Sequence, residues 1–392
     1  MRAPSIRSRS LRSVLGFLVL VCGVLLTPRP VAAYSVLAHE ALVDSAWEDV
    51  ITPLLRQKFP QATAEEIAAS RAFAYGGSVI QDLGYYPFGS HFVTNLLHYV
   101  RSGDFVETMV RDSQTLEEFA FALGALAHYA SDNAGHPIAT NRAVPLMYPK
   151  VRAEHGDVVT YAQDPKRHIM VEFAFDVSQV AGGSYANEAY RNFIGFEVSK
   201  PLLERAFKDT YGIELKDVFL DVDLAIGTYR FAVSKLIPDM TKAAAEDKED
   251  ALVYTFNQRE FEKAYGTSYR KPGFFARFIV LLSKIMPKIG PFRALAFDPP
   301  TPEVLKLYAD SFERSKEIYR QALGEVRANR LTLPNTDFDT GQPTRRGEYP
   351  LADETYAELV KRLADEPPAD VPLAMRENIN LFYGTPVIAA TK

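Results

Sequence analysis

The chain has 392 residues, 47% of them hydrophobic, with 44 basic and 49 acidic side chains and a formal net charge of −5. That is enough apolar sequence to bury one large core or two smaller ones. The acidic balance excludes bulk electrostatic binding to nucleic acid, while leaving room for a local positive site supplied by bound metal.

The N-terminus comes first. Arg2, Arg7, Arg9 and Arg12 precede an apolar run from Val14 to Leu26, and Val31–Ala33 offers small residues for cleavage. This is the pattern of a secretory signal over residues 1–33, and it implies a secreted or periplasmic protein. The apolar run is short for a membrane span. Cys22 follows Val21 rather than a small residue, and the arginines are not paired, so neither lipidation nor twin-arginine export is expected. Cleavage after Ala33 makes Tyr34 the first residue of a 359-residue chain, removes the only cysteine and five arginines, and takes the net charge to −10. Such a chain has no disulfide and relies on its core.

Beyond the signal, helical periodicity dominates. The stretch from His39 to Phe59 has apolar residues at three- and four-residue steps. Residues 115–132, "TLEEFAFALGALAHYASD", are apolar nearly all round, which predicts a buried helix. Helices are also expected over 167–181, 196–211, 222–237 and 302–330, with turn-rich segments at 84–90, 135–150, 264–273 and 332–352. Period-two strands are scarce and no repeat is visible, so an all-α fold is expected. The apolar, lysine- and arginine-flanked stretch 271–297 reads two ways: a core helix with snorkelling cations, or a segment lying in a membrane interface.

Seven histidines remain to be placed. In "HYASDNAGHP", His128, Asp132 and His136 are spaced by four, so one helix face can present all three. Imidazole and carboxylate together make good zinc ligands, and Pro137 should end the helix near His136. His168 and Glu172 repeat the spacing. Any one such pair is commonly a hydrogen-bonded or surface pair. Asp82, followed by turn residues, and His98, after a leucine pair, add buried candidates that need partners. If Tyr34 is the mature first residue, its α-amino group and carbonyl oxygen can chelate a metal beside His39. The full set is Tyr34, His39, Asp82, His98, His128, Asp132, His136, His168 and Glu172; His91 and His155 stay outside it.

These segments, "YSVLAHE", "QDLGYYPFG", "LLHYV", "LGALAHYASDNAGHP" and "RHIMVEF", resemble the zinc-dependent phospholipase C family and its relatives, the single-strand-specific zinc nucleases. The resemblance runs from residue 34 to about 180 and on toward 240. It implies an all-helical domain over 34–240; residues 241–392 lie beyond it and are expected to add further helices packed on that domain. It implies three zinc ions: one on Asp82, His98 and His128, a second reached by bridging Asp132 and completed by Tyr34 and His39, and a third on His136, His168 and Glu172. Three features depart from the family pattern. Tyr34 stands where the family usually has Trp. The step from Asp132 to His136 is shorter than in the best-known members, although the D-x-x-x-H-P form resembles another branch. The "Q-P-L-H"-like run of the nucleases is absent. The last point, with the lack of cysteines, favours the lipase branch.

The reaction class implied is phosphodiester hydrolysis of a phospholipid headgroup, with zinc polarising the phosphoryl oxygens and Asp82 as general base. Stretch 271–297 would then touch the bilayer, and no stable nucleic-acid partner is expected. A nuclease or other zinc phosphodiesterase is the alternative, and a non-catalytic, metal-stabilised binding protein the second.

Overall fold

The computed structural model describes residues 36–182, 196–248, 252, 277, 280–281, 295–364, 367 and 369–384. Tyr34, the turn expected at 264–273 and most of 271–297 lie outside the described residues. Among the described residues the regular elements are all helical, and the one strand-like pairing is a single bridge between Thr336 and Pro343. The all-α expectation holds.

In chain order the elements begin with α1 (Val36–Ala46), a wide turn at Trp47–Ile51, α2 (Thr52–Lys58) and α3 (Ala64–Gly77). A tight turn at Ile80–Tyr85 leads to α4 (His91–Tyr99), α5 (Ser102–Asp112) and α6 (Leu116–Gly135). A second wide turn (His136–Thr140), α7 (Asn141–Met147), α8 (Pro149–His155) and α9 (Pro165–Ala181) follow. Then come α10 (Lys200–Tyr211), α11 (Val222–Phe231), α12 (Ile237–Asp247), α13 (Pro302–Arg327), α14 (Pro350–Leu363) and α15 (Leu373–Gly384).

Helix α6 is the axis. Of its residues only Glu117 and Asn133 escape burial, as its all-round apolar sequence requires. Thr115 caps its start by accepting from Glu118 N. Helices α1, α3, α5 and α13 all pack on it. Helix α3 comes closest, because glycines face each other's backbones. A Cβ on Gly124 would sit 2.0 Å from Ala74 O, and one on Gly77 2.0 Å from Phe121 O. Helix α13 runs along another side, where Tyr319 donates to Leu123 O at 2.9 Å.

The stretch 135–150 departs from its turn-rich reading. Pro137 cannot donate to the helical ladder and its ring would crowd the preceding turn, so α6 stops at Gly135. The chain then widens through His136–Thr140 instead of leaving helical geometry, and α7 and α8 continue from it. The 332–352 segment is irregular as expected up to Tyr349, after which α14 begins. It crosses the C-terminal end of α6. Tyr129 donates to Pro334 O, Thr336 donates to Asn133 Oδ1 at 2.7 Å, and Asn141 donates to Asp339 O. Gly341, at φ 68°, lets that turn rest on Pro137.

The glycine contact yields a paired expectation. Gly124→Ala should destabilise by about 3 kcal/mol, since neither backbone can yield. Gly324→Ala, on an open face of α13 with nothing near its Cβ position, should stabilise slightly, by up to about 1 kcal/mol. Chemical denaturation of both variants checks the contrast; a Gly124→Ala variant as stable as the parent refutes the backbone contact.

Candidate metal centre

Each candidate side chain reaches the C-terminal end of α6 for a local reason. His128 and Asp132 are one turn apart on α6, and His136 follows at the start of the wide turn. Asp82 sits in the tight turn after α3. That turn is tied to α4 and α6: Thr94 Oγ1 accepts from Gly84 N and donates to Gln81 O, and Gln81 Nε2 donates to Ala125 O. His98 ends α4. Helix α9 starts at Pro165 with Asp164 accepting from Arg167 N, and it presents His168, Glu172 and Asp176 on one buried face. Asp176 Oδ2 accepts from Leu37 N at 3.2 Å, which ties the start of α1, and so His39, to α9.

Eight of the nine sequence candidates converge; Tyr34 lies outside the described residues. Three groups of donors form: His39 with His128 and Asp132, Asp82 with His98 and His128, and His136 with His168 and Glu172. The donor atoms of each group lie within 4.8 Å of one another. Asp132 Oδ2 is 3.0 Å from His128 Nε2 and 3.5 Å from His98 Nε2, while its Oδ1 is 3.5 Å from His39 Nε2. Asp82 Oδ1 is 3.3 Å from His98 Nε2. Glu172 Oε1 is 2.8 Å from His168 Nε2 and 3.3 Å from His136 Nε2. In one respect the geometry differs from the expected partition: His128 belongs to two groups, stacked on His39 at 4.4 Å and edge-on to His98 at 5.3 Å. His91 stands off, its ring against Tyr85, and His155 pairs with Glu154 at 3.8 Å on the outside of α8.

Two imidazoles have their tautomer set by backbone. His98 Nδ1 lies 2.8 Å from Thr94 O and His128 Nδ1 3.0 Å from Ser78 O, so Nδ1 carries the proton in each ring and Nε2 is left to the site. Yet His128 Nε2, both oxygens of Asp82, of Asp132 and of Glu172, and His168 Nε2 are buried without an aligned hydrogen-bond partner among the described residues. They approach one another closely but off line, as atoms do that aim at a shared point. Leaving them so costs about 1–3 kcal/mol each. A cation at each convergence relieves that cost, and mixed imidazole and carboxylate donors are what zinc takes. The donor set therefore fits the ion.

The electrostatics agree. Burial pushes the Asp132 carboxyl up, but the His128 and His136 imidazoles outweigh it and hold it well below the usual range. Burial and the stacked His128 ring hold His39 well below the ordinary imidazole value. Burial also lowers His98, yet Asp132 and Asp82 override it and hold it up at about 10. His136 is likewise raised against its burial, by Asp132, Asp339 and Glu172.

Asp339 was not anticipated. It lies in the segment crossing α6, 2% exposed, with Oδ1 3.1 Å from His136 Nδ1. Tyr99 and Tyr349 both donate to its Oδ2. Nothing local marks it, since its partner is some 200 residues away; an acid beside Phe338 in a turn-rich stretch was the only available signal. Phe338, fully buried, lies against His98 and His128, and Tyr85 and Tyr161 connect the groups by ring contacts to His98 and His168.

An all-helical protein organised around a buried cluster of metal-type donors is the class that fold and geometry define. Residues 38–221, a little under half of the chain, match the family described as zinc dependent phospholipase C. All eight converging donors fall inside the match, and Asp339 falls outside it. No curated protein and no solved structure matches the chain. The match supports zinc as the ion and a phospholipase C-type phosphodiesterase as the activity. Among the described residues no helix is long and apolar enough to cross a membrane.

With His98 and His136 raised, the metal-free protein holds both protonated at pH 7, and zinc must displace those protons to bind. Calorimetric zinc titration in two buffers of different protonation enthalpy should show release of more than one proton per protein. The sign also fixes stability. A raised imidazole stabilises the metal-free fold fully below its unfolded value near 6.5 and ceases to as pH rises through about 10 for His98. Zinc binding without proton release rules these rings out as ligands.

Proposed function

We propose that this chain is an exported zinc-dependent phospholipase C, cleaving phospholipids to diacylglycerol and a phosphorylated headgroup. The observation that carries the reading is that all eight buried donors fall within the residues that match the family. Three ions are proposed: on Asp82, His98 and His128; on His39, Asp132 and the processed N-terminus at Tyr34; and on His136, His168 and Glu172. His128 lies between the first two.

Bound zinc would polarise the phosphoryl oxygens, lower the pKa of a water and offset the charge that builds on the attacking and leaving oxygens. The chain's own contribution is to orient and to move a proton. Asp82 has neither oxygen aligned on a donor and is kept above the ordinary carboxylate range, first by burial, so it is a strong base for its class and serves as the proton acceptor from water. Its position is held by Thr94 and Gln81 through the tight turn. Phe338, Tyr85 and Tyr161 wall the donors with rings and limit competing water. Contact of 271–297 with the bilayer belongs to the same proposal.

The test incubates the exported protein with mixed phospholipid vesicles and quantifies diacylglycerol, with and without chelator. Release that the chelator abolishes supports the reading, and the lipid consumed names the headgroup. No release from zinc-loaded protein moves the substrate to a soluble or nucleic-acid phosphodiester. Asp132→Ala should lose zinc and activity together; full activity in that variant removes Asp132 from the centre. N-terminal sequencing of the exported chain should begin at Tyr34, and any other start breaks the proposed ligand role of that residue.

A further inference from the structure

The three imidazoles on or after α6 and α4 face the donors through Nε2, and each has a partner at Nδ1. For His98 it is Thr94 O, within the same helix. For His128 it is Ser78 O, on the neighbouring α3 end. His136 lies past the end of α6, where Pro137 widens the chain. Facing its Nδ1 is Asp339 Oδ1, at 3.1 Å, delivered by a segment 200 residues further on. The carboxylate is built in rather than passing by. Its second oxygen accepts from Tyr99 and Tyr349, its own N–H is taken by Asp337 Oδ1 at 2.7 Å, and its carbonyl accepts from Asn141. Tyr349 in turn accepts from Ala162 N, two residues before the cap of α9, the helix that carries His168 and Glu172.

We infer that Asp339 is a positioning residue for His136: its carboxylate, 3.1 Å from Nδ1, holds the ring, aims Nε2 at the point shared with His168 and Glu172, and so makes the C-terminal segment part of the centre. A carboxylate behind a metal-bound imidazole fixes its ring and raises its basicity, and losing such a partner typically costs 10- to 100-fold in metal affinity. The inference rests on reading His136, His168 and Glu172 as a metal group.

The experiment titrates the metal-free full-length chain with zinc against a chromophoric chelator and counts ions and affinities. Asp339→Leu, close in size but unable to accept, should weaken one zinc 10- to 100-fold and leave the others as in the parent. Asp339→Asn, which keeps an acceptor oxygen, should recover part of that loss. A purely structural role predicts no such split. Parent-like affinities for every zinc in Asp339→Leu overturn the inference. So does loss of every zinc together in both variants, which marks a fold defect. His168→Ala separates the two claims: if it binds as many zinc ions as the parent, the metal reading of that group fails on its own account; if it loses one ion while Asp339→Leu loses none, the positioning role fails alone.

Discussion

Asp132 is a carboxylate with no solvent exposure, placed within 3.0–3.5 Å of three imidazoles from three helices and one turn before a fourth. A buried charge of this kind stands only with compensating charge in close geometry. The surrounding fold can be understood as the means of delivering that compensation. Helix α6 must be covered on every side so that its C-terminal turns lie in the interior. Helices α1 and α4 must end or begin beside it, and α9 must bring a second acidic group to the next turn. The glycine contact between α3 and α6 brings the Asp82 turn within reach of His128, because the distance between the two backbones is set by atoms with no rotamers to change.

The charge pattern divides the donors into those prepared as neutral and those prepared as charged. His39, pressed on His128 in the interior, is held below the ordinary imidazole value, whereas carboxylates hold His98 and His136 above it. Protons on those two rings are the ones an incoming cation replaces. In the metal-free fold, positive charge on those rings offsets the mutual repulsion of the buried carboxylates.

Much of this was legible in the sequence, and the reasons differ by residue. His128, Asp132 and His136, and His168 with Glu172, share helix faces, so their spacing alone predicts a common direction. Asp82, His98 and His39 are harder, since nothing local says that three elements meet; the ordered series and its resemblance to a family supplied that. The wide turn after Gly135 was read as ordinary loop because proline is a breaker in isolation, and only packing under Gly341 shows why the chain stays helical. Asp339 and Phe338 were out of reach for the opposite reason. Their partners are distant in the chain, and neither periodicity nor spacing encodes a contact of that range.

Phe338 also has a consequence in time. It covers His98 and His128, and a ribosome reaches it 210 residues after His128. At roughly 5–20 residues per second, that interval is on the order of 10–40 s. For all of it His98 and His128 lack the ring that covers them in the finished fold.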